Sequence, residues 1–73
     1  MNNKRLEIIF EVEEDPEGGY VAEALGEAIF TQAETLDELR ANLREAVICH
    51  FADENLRPKV IRLHYLHHEV LAV

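Results

Sequence analysis

Five carboxylates stand close together in the first quarter of the chain, and they are the first candidates for chemistry. They are Glu11, Glu13, Glu14, Asp15 and Glu17. Clustered carboxylates can hold the divalent ions of a two-metal nuclease, but such a site needs ligands that converge from several elements. Most of these lie in one predicted turn. We therefore interpret them first as a solvated turn, second as an acidic surface for a basic protein partner, and last as a metal-dependent nuclease site.

The histidines form a second group with possible chemistry, because neutral imidazole is a good zinc ligand. His64, His67 and His68 stand near Glu69, and His50 lies elsewhere. In a strand, His64 and His67 lie on opposite faces, and the chain has neither a helical pair of histidines four apart nor a Cys-x-x-Cys. We predict surface or interface histidines, a hydrogen-bonded and partly buried His50, and no metal or cofactor.

The third candidate is Cys49 beside His50, which has the residue types of a nucleophile and its base. Adjacent residues of a helix point about 100° apart and do not face each other. Cys49 also falls late in the predicted helix, far from the end that lowers a thiol pKa. We expect a small, half-buried side chain. The chain has no serine, no phosphate loop and no dinucleotide fingerprint, so we predict that it is not an enzyme.

Charge and length limit the possible partners. Fifteen acidic and seven basic residues among 73 give a formal net charge of −8. A polyanion gains affinity from basic surfaces, so nucleic acid is not an expected direct ligand, whereas a basic protein is. Solubility alone is the alternative explanation of the acidity.

A single cysteine excludes an internal disulfide and is typical of a reducing compartment. With no apolar run of about 18 residues and no signal-like segment in residues 1–6, we predict a cytoplasmic protein that does not contact membranes.

Hydrophobic periodicity predicts the elements that position these residues. Leu6–Glu13 alternates as a strand, and the acidic segment with Pro16, Gly18 and Gly19 predicts a hairpin turn. Tyr20–Leu25 is the predicted returning strand, and Ala28–Gln32 is a short third strand.

A helix is predicted next. Thr35 and Glu38 match the capping box that begins helices. A stripe of apolar residues at helical spacing follows, and we predict an end near Asp53. Pro58 favours a loop, after which Lys59–Leu66 is predicted as a final strand.

The order β-β-β-α-β predicts one α+β domain over residues 1–73. We expect a three-stranded antiparallel meander, with the fourth strand parallel to the first and beside it, since crossovers through a helix are right-handed. One helix covers one face, so the other face would leave apolar side chains in water. We therefore predict a homo-oligomer, either a dimer or a tetramer. The predicted contacts are Ile9, Ile48, Leu66, Val70, Leu71 and Val73.

Several segments in chain order resemble the HicB antitoxin-like family. They are Glu14-Asp15-Pro16-Glu17-Gly18-Gly19-Tyr20-Val21-Ala22-Glu23, Leu25-Gly26, Thr31, Glu34-Thr35-Leu36-Asp37-Glu38-Leu39 and Asn42-Leu43-Arg44-Glu45-Ala46. The resemblance covers about residues 6 to 66. The chain departs from the family pattern in two places. Ala24-Leu25-Gly26 stands where the family has Leu-Pro-Gly, and Ala33-Glu34 stands where it has Gly-Asp.

This resemblance implies a partial ribonuclease-H-like fold without the catalytic carboxylates of the nuclease. It also implies an antitoxin that oligomerises and neutralises a small, basic, HicA-like ribonuclease toxin by occlusion. Full-length members carry a DNA-binding domain after the last strand, and we expect this chain to be a short member without one. A solitary, homo-oligomeric interaction or regulatory domain with no toxin partner is the alternative.

Overall fold

A computed structural model describes residues 6–73 and confirms the predicted α+β architecture. The elements are β1 (Glu7–Glu14), β2 (Tyr20–Ala24), β3 (Phe30–Ala33), α1 (Leu36–His50) and β4 (Val60–Tyr65). The strands form one sheet in the order β3-β2-β1-β4. β2 is antiparallel to β1 and β3, while β4 is parallel to β1. The sequence predicts no signal segment in residues 1–6. Residues 1–5 lie outside the part of the chain that the structure describes.

The core lies between α1 and one face of the sheet. Ile8, Phe10 and Val12 of β1 are buried against a helix row whose buried members are Leu39, Leu43 and Val47. Complete burial of an aliphatic or aromatic side chain of this kind contributes about 1.5–3 kcal/mol. Ala22 and Ala24 of β2 are also buried. The alternate residues of each strand therefore face away from the helix.

The hairpin between β1 and β2 forms as predicted. The Glu17 N–H donates to Asp15 Oδ1 (2.9 Å), and the Gly18 N–H donates to the Asp15 carbonyl (2.9 Å). Gly18 and Gly19 have φ of +105° and +82°, a region that L-residues with side chains rarely adopt. A Cβ on Gly19 would also lie 2.6 Å from the carbonyl oxygen of Ala33. The turn thus depends on glycine at this position.

The capping box is present in a slightly shifted form. The Glu38 N–H donates to Thr35 Oγ1 (3.1 Å), while Glu38 Oε1 accepts from the N–H of Glu34 (3.1 Å) rather than from that of Thr35. Glu38 therefore satisfies the donor one residue before the cap. Both bonds stabilise the start of α1.

The helix ends earlier than predicted. It stops at His50, and Phe51 has the non-helical angles φ −110° and ψ 76°. The Arg57 side chain donates to the carbonyl oxygens of Phe51 (2.9 Å) and Ala52 (3.3 Å). These bonds satisfy two carbonyls that lie just past the end of the helix. The predicted end near Asp53 was wrong by three residues.

The strand limits also differ from those predicted, by one or two residues at most ends. β3 begins at Phe30 rather than Ala28, although the Ile29 carbonyl already accepts from the Ala24 N–H (3.0 Å). Leu6 precedes β1 and is exposed rather than part of the core row. Within residues 6–73, α1 is too short and too polar to cross a membrane.

Candidate protein-binding face

The sheet surface that turns away from α1 is the candidate functional site, and we call it the open face. Strand register assigns its members, since residues paired across strands share a face. Its residues are Glu7, Ile9, Glu11, Glu13, Val21, Glu23, Leu25, Phe30, Gln32, Val60, Arg62, His64 and Leu66.

Glutamates occupy the centre of the open face, and exposed apolar side chains lie around them. Glu11 and Glu13 of β1 lie beside β2, which adds Glu23. Leu25 and Phe30 lie on the β3 side, and Phe30 is 62% exposed. Val60 and Leu66 are exposed on the β4 side. The predicted apolar surface is therefore interrupted by charge, and a partner that covers it must neutralise carboxylates as well as bury hydrocarbon.

Glu11 and Glu23 form a like-charged pair across β1 and β2. They are direct partners in the antiparallel register. The Leu25 N–H donates to the Ile9 carbonyl (2.9 Å), and since bonded pairs recur every second residue, Glu11 and Glu23 are also a hydrogen-bonded pair with Cα atoms about 5.5 Å apart. Like charges in direct opposition destabilise a sheet by about 0.2–1 kcal/mol. Neither side chain has an ion-pair partner within residues 6–73.

The neighbouring glutamates of β1 have side-chain partners on or after β4. Arg62 on β4 donates to Glu7 Oε1 from Nε (3.1 Å) and Nη2 (2.9 Å). This hydrogen bonding, and then the negative charge of Glu7, raise the pKa of the Arg62 guanidinium. His68 Nε2 lies 2.7 Å from Glu13 Oε2. Glu11 and Glu23 thus differ from Glu7 and Glu13 in having no side-chain hydrogen bond or ion pair within residues 6–73.

The five predicted partner-binding carboxylates do not converge. Glu11 and Glu13 lie on the open face. The side chain of Glu14 is exposed on the opposite side of the strand, Asp15 accepts hydrogen bonds inside the turn, and Glu17 is exposed at its tip. Among the described residues, no group of three potential metal ligands is present.

The predicted oligomer contacts fall on three separate parts of the molecule. Ile9 and Leu66 lie on the open face. Ile48 is exposed on α1, which packs against the other face. The remaining three are strongly exposed in the segment after β4, and they are Val70, Leu71 and Val73.

The cysteine and the histidines lie at exposed positions on the surface. Cys49 is exposed, so the predicted half-buried side chain was wrong. His50 is hydrogen-bonded and partly buried as predicted, since its Nε2 lies 3.1 Å from Glu27 Oε1 and its side chain is 37% exposed. His64 is the β4 neighbour of Glu11.

Eight members of the open face were not among the residues predicted to bind a partner or form a contact: Glu7, Val21, Glu23, Leu25, Phe30, Gln32, Val60 and Arg62. The period of two in β2 does indicate that Val21, Glu23 and Leu25 share one face. Their neighbours on β1, however, depend on the number of residues in the turn. That number decides whether Glu23 meets Glu11 or a residue two positions away.

Two curated relatives share much of this sequence. A UPF0150 protein from Archaeoglobus fulgidus is 53% identical over 53 residues, which are 73% of this chain and 77% of the relative. A UPF0150 protein from Thermotoga maritima is 37% identical over 67 residues, which are 92% of this chain and 93% of the relative. No family profile and no solved structure matches the chain.

Proposed function

The chain belongs to the UPF0150 family, and we propose that it is a cytoplasmic protein-binding module of the HicB antitoxin type. In this proposal its open face covers a small, basic, HicA-like ribonuclease toxin and neutralises it by occlusion. The domain itself catalyses no reaction and needs no cofactor.

The observation that carries the proposal is that Glu11 and Glu23 lie directly opposite each other, without an ion-pair partner for either among the described residues. We call these two residues the glutamate couple. Two adjacent carboxylates without a cation cost stability in the free domain. An arginine or lysine of a partner placed between them would remove that repulsion and gain charge-assisted hydrogen bonds, each contributing about 1.5–3 kcal/mol. The free protein thus keeps a place for a cation that its own chain does not fill in the described part.

The apolar residues around this couple suit a protein rather than a free cation. Phe30 and Leu25 on one side and Val60 and Leu66 on the other are large and exposed. Interfaces that bind tightly combine apolar anchors with a few charged groups that lose their water. The net charge of −8 would also accelerate encounter with a basic protein. A toxin whose RNA-contacting surface is basic meets the requirement for charge, and we expect it to place apolar side chains against the exposed residues around the couple.

The decisive experiment is co-expression with the product of a neighbouring small, basic open reading frame, followed by a pull-down and a growth-rescue assay. The variant carries Glu11→Gln and Glu23→Gln. The matched control carries Glu45→Gln and Glu54→Gln, which make the same change in net charge at exposed sites away from the open face. We expect the first pair to weaken binding at least tenfold and to reduce rescue, while the control retains both.

Equal weakening by both double variants would show that only overall charge matters, and this would contradict the proposed face. A solitary interaction domain without a toxin is the alternative, and it predicts no capture and no rescue by the wild-type chain. RNA cleavage that depends on magnesium or manganese would instead favour a nuclease.

A further inference from the structure

The outer edge of β4 carries backbone groups that no residue of the described chain binds. The Val60 N–H donates to the Leu6 carbonyl (3.2 Å), and the Leu66 N–H donates to the Val12 carbonyl (2.8 Å). Even-numbered residues of β4 therefore direct their backbone groups toward β1, and odd-numbered residues direct theirs away from the sheet. An edge of this kind, without a proline, is a template for another strand. The residues with outward groups are Ile61, Leu63 and Tyr65.

Side chains of α1 partly close the other edge of the sheet, which is β3. There the Asn42 Nδ2 donates to the Gln32 carbonyl (3.3 Å), and Glu38 Oε1 accepts from the Glu34 N–H (3.1 Å). No corresponding side chain binds the backbone of β4 within residues 6–73. Of the two edges, β4 is therefore the one that is open to a further strand.

A groove of about 450 Å³ lies between α1 and β4 beside this edge, since α1 packs chiefly over β2 and β3. The groove combines an apolar floor with three cations, and no carboxylate of the described residues lines it. Arg40 is paired with Asp37 (2.9 Å), whereas Arg44 and Lys59 form no ion pair with any described residue. The lining residues are Leu43, Ile61 and Leu63 on the floor, together with Arg40, Arg44 and Lys59.

The charge of this region is opposite to that of the whole chain. The chain has a formal net charge of −8, yet no acidic residue occurs between Glu54 and Glu69, a stretch that contains all of β4. No other stretch between acidic residues is as long. Arg44 and Lys59 therefore favour a negatively charged ligand in the groove, whereas the glutamates of the open face favour a positively charged one.

We propose that β4 and this groove bind an extended segment of another protein that carries carboxylates and large apolar side chains. The segment joins the sheet as a fifth strand, and the outward N–H and C=O groups of β4 supply its backbone hydrogen bonds. A free amphipathic anion would use the cations and the floor but would leave these backbone groups to water. The site lies at the edge of the sheet, so the inference does not rest on the toxin proposed for the open face.

The register of β4 defines the chemistry of the segment. We place the segment antiparallel to β4, because antiparallel pairs are more stable per residue than parallel ones. Its residues opposite Leu63 and Ile61 then face the groove and should be large and apolar, since residues opposite each other share a face. The next position on the groove side lies at the Lys59 end, where Lys59 and Arg44 attract a carboxylate. The segment therefore reads apolar-x-apolar-x-acidic from its amino end.

A short synthetic peptide tests this site. The probe is Thr-Leu-Thr-Leu-Thr-Glu-Thr, blocked at both ends and carrying a neutral fluorophore, and its binding to the full chain is measured by fluorescence anisotropy. In the proposed register the N–H groups of the two leucines point toward β4, and that of the threonine between them points to solvent. We expect saturable binding that falls about tenfold or more when the second leucine is N-methylated, because a hydrogen bond is lost and the methyl group meets the strand. N-methylation of the threonine between the leucines is the matched control and should leave the affinity within about twofold.

Two changes of charge test the placement of the carboxylate. The reversed peptide, Thr-Glu-Thr-Leu-Thr-Leu-Thr, has the same composition but puts its glutamate beside Tyr65 instead of Lys59, so we expect it to bind about three- to fivefold more weakly. The variant with Arg44→Glu and Lys59→Glu should prefer a probe in which lysine replaces the glutamate, while the wild type prefers the original probe. Both substituted residues are exposed, and an unchanged circular dichroism spectrum checks that the fold is retained.

Several results would overturn the proposal. Absence of saturable binding by the probe would show that this edge does not accept a strand, or that a second copy already occupies it. Equal effects of the two N-methylations would show that the peptide does not pair with β4. Equal affinity for the original and reversed peptides, or an unchanged charge preference in the double variant, would refute the contact of the carboxylate with Arg44 and Lys59.

Discussion

Replacing either glutamate of the central couple should stabilise the free domain. Glu11→Gln and Glu23→Gln each remove the like-charge contact between β1 and β2 while keeping side-chain size and hydrogen-bonding capacity. Most exposed substitutions change stability by less than about 0.5 kcal/mol in either direction. A gain in stability at the proposed binding site is therefore an informative result.

The register sets the magnitude of this gain. Direct opposition of Glu11 and Glu23 corresponds to about 0.2–1 kcal/mol, and since both carboxylates reach solvent, we expect about 0.5 kcal/mol. In a domain of this size, that gain raises Tm by about 2–4 °C. Either substitution alone abolishes the repulsion, so the double variant should gain little more than each single one, and the coupling should equal the repulsion energy.

Urea unfolding of the wild type, both single variants and the double variant at low salt measures this cycle. Glu45→Gln serves as the reference for the general effect of removing one negative charge from an acidic protein. In 1 M salt the Debye length falls to about 3 Å, and the coupling should largely vanish. Additive gains, or gains no larger than that of Glu45→Gln, would refute a local repulsion between the two glutamates.

Two further predictions concern other parts of the chain. Gly19→Ala should lower the free energy of unfolding, measured in urea, by about 2 kcal/mol or more. The reason is that φ is +82° and the new Cβ would lie 2.6 Å from the Ala33 carbonyl oxygen. A loss no greater than that of Gly18→Ala, where the Cβ would meet no atom within 4 Å, would contradict this contact. Thr35→Ala should lower the free energy of unfolding by about 1 kcal/mol, because it removes the acceptor of the Glu38 N–H. Thr35→Ser keeps a hydroxyl and should retain most of the stability, so equal losses from the two substitutions would exclude the cap as the cause.

The elements that depend on local chemistry were predictable from the sequence. Thr35 and Glu38 are three residues apart, and their bonds form within about one helical turn. A few neighbouring residues therefore determine where α1 begins. The turn at Gly18 and Gly19 is equally local, since positive φ selects glycine whatever lies elsewhere. The position of β4 beside β1 follows from a general rule of crossover handedness rather than from any single residue.

Features that depend on distant contacts were not predictable in the same way. Arg62 and Glu7 are 55 residues apart in the chain, and nothing in either local pattern identifies the other. The carbonyls just past the end of α1 are bound by Arg57, and no local helix-end pattern indicates that contact. Glu11 was recognised as part of an acidic group, but its importance comes from Glu23, and that contact required the register of the hairpin.

The glutamate couple also bears on how a small domain can keep a binding site. A chain of 73 residues buries a modest share of its surface and has little stability in reserve. The repulsion between Glu11 and Glu23 lowers that stability by about 0.2–1 kcal/mol, which is small enough for the folded state to tolerate. In the proposed function a basic partner removes the repulsion on binding, so the contact that destabilises the free domain favours the complex.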